Sequence, residues 1–128
     1  MLKGYEEGSF WDVSWNEVKQ YIDKLANQIK EFETSFSGIY GIPRGGLILA
    51  VLLSHKTGLP LLAAPAENCI IIDDIADSGR TLIHFTDNDT QFNKYYITTM
   101  FYHERSMVKP DFYLYSKKDT WITFPWEV

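Results

Sequence analysis

Hydrophobic residues recur along the chain at two spacings, one typical of helices and one typical of buried strands. Four of them share one face of a first helix: Val18, Ile22, Leu25 and Ile29. Ser14 and Glu17 precede that face at the spacing of a capping box, which predicts a helix ending near Lys30. Residues 47–55 are apolar nearly all round, as in a helix packed into a sheet, and Gly58 provides a stop signal.

The strongest strand prediction is Ile70–Asp73, because a continuous β-branched run indicates a strand covered on both faces. Weaker strand patterns occupy residues 37–42, 61–64, 95–102 and 112–115. Residues 81–86 are expected to be helical, and the aromatic tail from Asp119 to be irregular. Helices that alternate with strands predict an α/β fold with a mainly parallel sheet, and residues 1–128 are expected to form one domain.

Composition narrows the classes of protein that fit this pattern. The 128 residues are 45% hydrophobic and 16% aromatic, with a net charge of −5 and a pI near 5.1. An acidic chain of this kind argues against a nucleic-acid or anionic-membrane partner. We find no apolar signal segment at the N-terminus, and the longest apolar run, Leu47–Leu53, is too short to cross a bilayer, so we expect a cytoplasmic protein. The one cysteine, Cys69, is expected to be buried.

Two adjacent carboxylates, Asp73 and Asp74, follow the buried isoleucines and lead into a turn at residues 77–81. Ligands of open α/β sheets bind beyond the carboxyl ends of the strands. Backbone N–H groups at a following helix start suit a phosphate, and the carboxylates suit sugar hydroxyls or Mg²⁺. The alternative is an ordinary turn in which Asp77 or Ser78 caps the helix and the two aspartates are solvated.

The whole pattern from Ile70 to Thr81 resembles the phosphoribosyl-pyrophosphate (PRPP) signature of type I phosphoribosyltransferases. The resemblance implies that Asp73 and Asp74 hold the ribose hydroxyls, with Asp74 closer to Mg²⁺. It assigns the 5′-phosphate to a loop with these residues: Ala76, Asp77, Ser78, Gly79, Arg80 and Thr81. It also places Asp77, the expected catalytic residue, opposite N7 of a purine as proton acceptor or donor.

Two further stretches resemble the same family. "GIPRGG", from Gly41, is similar to its pyrophosphate loop, which implies that Arg44 and Gly45 contact pyrophosphate; a turn with an exposed arginine is the alternative. "DTWITFPW" resembles the tail of the small bacterial xanthine-guanine phosphoribosyltransferases. There Trp121 would stack on the base and the Ile122 backbone would read it, unless Trp121 and Trp126 only anchor the C-terminus.

The resemblance implies a type I phosphoribosyltransferase fold: a mainly parallel, twisted, Rossmann-like sheet flanked by helices, with a small C-terminal aromatic hood. It also implies a homodimer.

Two features depart from the family. Only a few residues separate Ala64 from Ile70, too few for the lid loop, so a lid would come from a partner subunit or from residues 87–93, or activity would be weak or lost. At the position after the fourth strand where the family has a base-selecting lysine, this sequence has Tyr102 and His103. Lys109 is too far from that position along the chain to replace the lysine. His103 either donates to the base or pairs with Glu104.

The expected function is therefore Mg²⁺-dependent transfer of the phosphoribosyl group from PRPP to a 6-oxopurine, namely guanine, xanthine or hypoxanthine, with release of pyrophosphate. The alternative is a protein that binds PRPP or a nucleotide without efficient chemistry, as a sensor or accessory subunit. A phosphatase with Asp73 as nucleophile fits poorly. The two aspartates of such enzymes are separated by one residue, whereas Asp73 and Asp74 are adjacent.

Overall fold

The computed structural model describes residues 9–32, 35–86 and 95–127. The elements in chain order are β1 Phe10–Asp12, α1 Trp15–Lys30, β2 Ile39–Gly41, α2 Gly45–Thr57, β3 Ile70–Ala76, a 3₁₀ helix Leu82–Phe85, β4 Tyr96–His103, β5 Phe112–Lys117 and β6 Trp121–Thr123. Strands β2-β3-β4-β5 form a sheet in that order, and β1 pairs with β6. Every pair of neighbouring strands is parallel, which confirms the predicted α/β class.

The four-stranded sheet is covered on both faces, as the run of isoleucines predicted. Ile70, Ile71 and Ile72 are fully buried, and their side chains alternate between two apolar layers. The layer that contains Ile70 and Ile72 includes the buried faces of α1 and α2. The opposite layer includes Leu82 from the 3₁₀ helix and Val108 from the loop after β4. The core therefore packs against both faces of β3 directly before Asp73 and Asp74.

Helix α1 begins at the predicted capping box. The Ser14 hydroxyl accepts a hydrogen bond from the Glu17 backbone N–H at 3.1 Å, and the Glu17 carboxylate accepts one from the Ser14 N–H at 2.9 Å. The indole N–H of Trp11 donates to the same carboxylate at 3.2 Å. Trp11 is buried and makes edge contacts with the rings of Phe101 and Tyr115. The cap thus links β1, the first helix and the sheet.

Three predicted boundaries are wrong. Strand β3 does not end at Asp73 but continues through Asp74 to Ala76, because it stays paired with β4. Residues 61–64 do not form a strand; Leu61 alone makes a bridge, with Ile39. The aromatic tail is not irregular throughout, since β6 pairs with β1. Both of these strands are three residues long, too short for a periodic pattern to reveal them.

Two simpler expectations can be compared directly with the structure. Cys69 is buried, as predicted. Within the three described ranges, no helix has the length and apolar character needed to cross a membrane.

Replacing Ser14 with alanine should lower the free energy of unfolding by about 1 kcal/mol, because the N–H of Glu17 loses its capping acceptor. The measurement is denaturant unfolding of the parent and of Ser14→Ala. Ser14→Asn keeps an acceptor without adding a charge beside the Glu17 carboxylate, and should remain within a few tenths of a kcal/mol of the parent. Equal destabilisation of both variants would show that the cap is not the cause.

Candidate functional site

The carboxylates of Asp73 and Asp74 lie in the C-terminal half of β3, close to the edge at which the parallel strands end. Asp73 Oδ1 accepts a hydrogen bond from the Asp74 N–H, and Asp74 Oδ1 accepts one from the Ile75 N–H, both at 2.8 Å. Burial raises the pKa of Asp73 to about 8, and the neighbouring charge of Asp74 contributes. Burial also raises the pKa of Asp74. The pair is therefore short of positive charge, and a cation would stabilise its ionised form.

The start of helix α2 packs directly onto these carboxylates. A Cβ atom on Gly45 would collide with the carboxylate of Asp74, and one on Gly46 would collide with the carbonyl oxygen of Ile72. Only glycine allows the helix backbone to come this close. Arg44 is exposed immediately before the helix, and the Pro43–Arg44 peptide bond is cis. The structure thus brings the predicted pyrophosphate loop against the predicted ribose-binding carboxylates.

A cavity of about 250 Å³, which we call the carboxylate cavity, opens beside the pair. Its lining is Asp73, Asp74, Ile75, Asp77, Ser78, Gly79, Arg80, Thr81 and Leu82. Gly79 has a φ of +83°, and a Cβ there would lie 2.7 Å from the backbone nitrogen of Met107. The Met107 N–H donates to the Ser78 carbonyl at 2.9 Å, so the loop after β4 supports this turn.

Two expectations about this turn change. Ala76 is buried in the core, and its side chain is not part of the cavity lining, so it supports the turn from below. The expected helix at residues 81–86 is a 3₁₀ helix of four residues. Its N-cap is Thr81, not Asp77 or Ser78. A helix this short contributes little dipole, so anion binding here would depend on loop N–H groups and hydroxyls.

A second cavity, about 230 Å³ and here called the tryptophan cavity, adjoins the first. Its lining is Asp74, Ile75, Asp77, Lys117, Thr120, Trp121, Ile122, Phe124 and Glu127. The Trp121 side chain is 69% exposed, so it does not anchor the C-terminus in the core. Trp126 does serve as an anchor, because its ring stacks on Phe124 at 4.8 Å. Trp121 and Ile122 thus both line this cavity, and the Trp121 ring is open to solvent.

Asp77 lines both cavities and is surrounded by cations that sequence reasoning did not assign. Arg105 donates to Asp77 Oδ1 from Nη2 at 2.8 Å and from Nε at 3.1 Å. The ammonium of Lys117 lies 3.7 Å from the same oxygen. Arg105 Nη1 also lies 3.6 Å from Asp119. Lys117 could have been found by extending the strand pattern at Tyr115 two residues further along the same face.

His103 has partners other than those expected. Its Nε2 lies 3.4 Å from Asp119 Oδ1, and its Nδ1 accepts a hydrogen bond from the Arg105 N–H at 3.1 Å. The pairing with Glu104 is therefore replaced by a pairing with Asp119. His103 does not line the tryptophan cavity. Tyr102, the other residue at the lysine position, packs its ring against Tyr113 at 4.8 Å.

The donor set at the carboxylate pair fits a magnesium ion held partly by substrate. Among the residues that the structure describes, no three His, Cys, Asp or Glu side chains form a cluster able to hold a metal on their own. Mg²⁺ is commonly bound by one or two carboxylates together with waters and substrate oxygens. Asp73 and Asp74 could supply the protein's share of such a site.

Comparisons with known proteins agree with this geometry. No model of a known protein family matches the chain. A purine phosphoribosyltransferase from Pyrococcus horikoshii Ot3 matches with a TM-score of 0.78 and 26% identity, over 94% of this chain and 95% of that chain. A xanthine-guanine-hypoxanthine phosphoribosyltransferase from Helicobacter pylori matches with a TM-score of 0.74 and 20% identity, over 91% and 93% of the two chains. A hypothetical protein from Neisseria gonorrhoeae with bound ppGpp matches with a TM-score of 0.69 and 16% identity, over 96% and 91%.

The parallel sheet, its flanking helices and these matches define the class: the chain has the fold of the type I phosphoribosyltransferases. The solved structures that it resembles include purine phosphoribosyltransferases, as the PRPP-like motif and the tail predicted.

The raised pKa of Asp73 makes the stability of the fold depend on pH. The folded state holds this proton up to about pH 8, whereas an unfolded aspartate loses it near pH 4, so stability declines as pH rises between those values. Asp73→Asn stays neutral and should escape the decline. Without divalent ions, its melting temperature should exceed that of the parent by more at about pH 8.5 than at about pH 5. An equal difference at both pH values would contradict the assignment.

Proposed function

We propose that this protein is a purine phosphoribosyltransferase, which transfers the 5-phosphoribosyl group of PRPP to a 6-oxopurine and releases pyrophosphate. One observation carries the proposal: Asp74, Ile75 and Asp77 line both the carboxylate cavity and the tryptophan cavity. A ligand with its phosphate in the carboxylate cavity and its base in the tryptophan cavity would contact these three shared residues. Guanine, xanthine and hypoxanthine are the candidate bases.

The carboxylate cavity is suited to the sugar phosphate. Asp73 and Asp74 would accept hydrogen bonds from the ribose hydroxyls, and the turn at residues 77–81 would hold the 5′-phosphate. Arg44 and Gly45 lie at the loop proposed for pyrophosphate, next to Asp74. A bound Mg²⁺ would supply positive charge to the leaving group, and Asp74 is the residue proposed to hold it.

Asp77 is proposed to face N7 of the base as a proton acceptor. Arg105 donates two hydrogen bonds to its Oδ1, and Lys117 approaches the same oxygen. An ionised carboxylate accepts hydrogen bonds through both of its oxygens, and the contacts with Arg105 and Lys117 occupy only Oδ1. The second oxygen, Oδ2, would then receive a base N–H.

The second candidate function is binding of PRPP or a nucleotide without efficient turnover. It is favoured by the short connection between Leu61 and β3, only residues 62–69, which leaves no room for a lid that would exclude water. The Neisseria gonorrhoeae structure, whose bound molecule is ppGpp, also supports a nucleotide-binding role. Residues 87–93, the other proposed source of a lid, lie outside the described residues.

The proposal includes a cytoplasmic homodimer whose partners are small molecules rather than nucleic acid or membranes. Two apolar side chains of α2, Leu47 and Val51, are 45% and 40% exposed. They lie one helical turn apart, so a second copy of the chain could cover them together. A partner subunit could then supply a lid that the connection at residues 62–69 does not provide.

Pyrophosphate release from PRPP and Mg²⁺ should depend on the base supplied. We expect release with guanine, xanthine or hypoxanthine, formation of the matching nucleotide, and little release with adenine. Base-independent release would show that water reaches the ribosyl centre. No release, with PRPP or nucleotide binding intact by calorimetry, would favour the binding function over the enzyme.

Asp74→Asn should abolish Mg²⁺-dependent binding of PRPP, because the amide keeps the shape of the side chain but loses its charge. Calorimetric titration with and without Mg²⁺ measures the effect. Asp12→Asn, an exposed position on β1, is the matched control and should bind as the parent does. Unchanged binding by Asp74→Asn would place the metal elsewhere.

A further inference from the structure

Lys117 has an environment unlike that of its neighbour. It is the last residue of β5, and its side chain is only 5% exposed, whereas Lys118 is exposed. A lysine of this kind buries its methylene stem while its ammonium reaches a solvent-accessible cavity. The nearby carboxylate is Asp77, yet its Oδ1 lies 3.7 Å from the Lys117 nitrogen and is contacted more closely by Arg105, at 2.8 Å. The packed stem holds the ammonium in place, and its three N–H donors remain available to a ligand in the cavity.

Lys117 lies beside the exposed aromatic side chains of Phe10 and Trp121. Lys117 lines the tryptophan cavity together with Trp121. It also lines a cavity of about 440 Å³ on the other side, which contains Phe10, Trp121 and Arg105. Phe10 is 70% exposed and is the Cα partner of Trp121 across the parallel β1–β6 pair. The ammonium thus lies at the side of an exposed aromatic surface on which a flat ring can stack.

We propose that Lys117 is the residue that selects the base, by donating a hydrogen bond to the 6-oxo group of a purine stacked on Trp121. This inference rests on the proposed function, and it assigns the selection to β5 rather than to the position after β4. His103, at that position, already contacts Asp119 and the Arg105 backbone. A 6-oxo group accepts from an ammonium, whereas the 6-amino group of adenine offers it only donors.

The test is a cycle in which the lysine and the oxygen are removed separately and together. The protein is the parent or Lys117→Met, and the ligand is inosine 5′-monophosphate or purine riboside 5′-monophosphate, which lacks the oxygen. Calorimetry measures each affinity. We expect Lys117→Met to weaken inosine monophosphate binding by about 10- to 100-fold, the range for a hydrogen bond to a charged group. Binding of the nucleotide without the oxygen should change by about twofold or less.

Two matched variants accompany the cycle. Lys118→Met removes an exposed lysine and should leave both affinities unchanged. Lys117→Arg keeps a cationic donor and should retain preference for the oxygenated nucleotide. Melting curves establish that each variant is folded, and if Lys117→Met does not fold, Lys117→Gln takes its place.

The outcomes separate this inference from the proposed function. If the parent binds both nucleotides equally, or if Lys117→Met keeps the full preference, the assignment of Lys117 is overturned while the nucleotide site stands. If the parent binds neither nucleotide and releases no pyrophosphate, the proposed function fails and this inference fails with it. Loss of preference in Lys117→Met, but not in Lys118→Met, supports the assignment.

Discussion

The rest of the structure depends on the close approach of helix α2 to the end of strand β3. Gly45 and Gly46 leave no side chain between the helix backbone and the strand, so the carboxylate of Asp74 lies against the first turn of the helix. That approach sets where the loop before the helix, residues 43–46, lies relative to the aspartates. It also encloses the carboxylates enough to raise their pKa values. One steric constraint thus determines both the shape and the charge of the site.

Enclosing two neighbouring carboxyl groups opposes folding, because burial disfavours their ionised forms, and the sheet beneath them offsets that cost. Ile70, Ile71 and Ile72 are fully buried directly before the pair, and full burial of such side chains contributes about 1.5–3 kcal/mol each. The strand can therefore hold Asp73 and Asp74 in place before any ligand arrives. Carboxylates already held in position lose little freedom when a sugar or a cation binds.

Sequence reasoning succeeded where a local pattern and a local structure coincide. The isoleucine run, the capping box at Ser14 and the PRPP-like turn each occupy consecutive residues, and the structure places each where it was expected. It failed for Lys117 and Arg105, whose importance comes from their proximity to Asp77. Those contacts join the end of β3 to β5 and to the loop after β4. The strand pattern of β5 could have indicated the face on which Lys117 lies, but not its proximity to Asp77. The end of β3 was also misplaced. The hydrophobic pattern predicted that the strand stops at Asp73, but pairing with β4 extends it through Asp74 to Ala76.

The pairing of β1 with β6 joins Phe10 to Trp121, and the hydroxyls of Ser9 and Thr120 directly before them, 111 residues apart, share a hydrogen bond. The carboxylate cavity is lined by residues between 73 and 82, whereas the tryptophan cavity also needs residues between 117 and 127. Synthesis proceeds from the N-terminus, and chains begin to fold as they emerge. A growing chain therefore carries the residues of the carboxylate cavity while β6 is still missing. The tryptophan cavity is completed only after the carboxylate cavity as the chain is made.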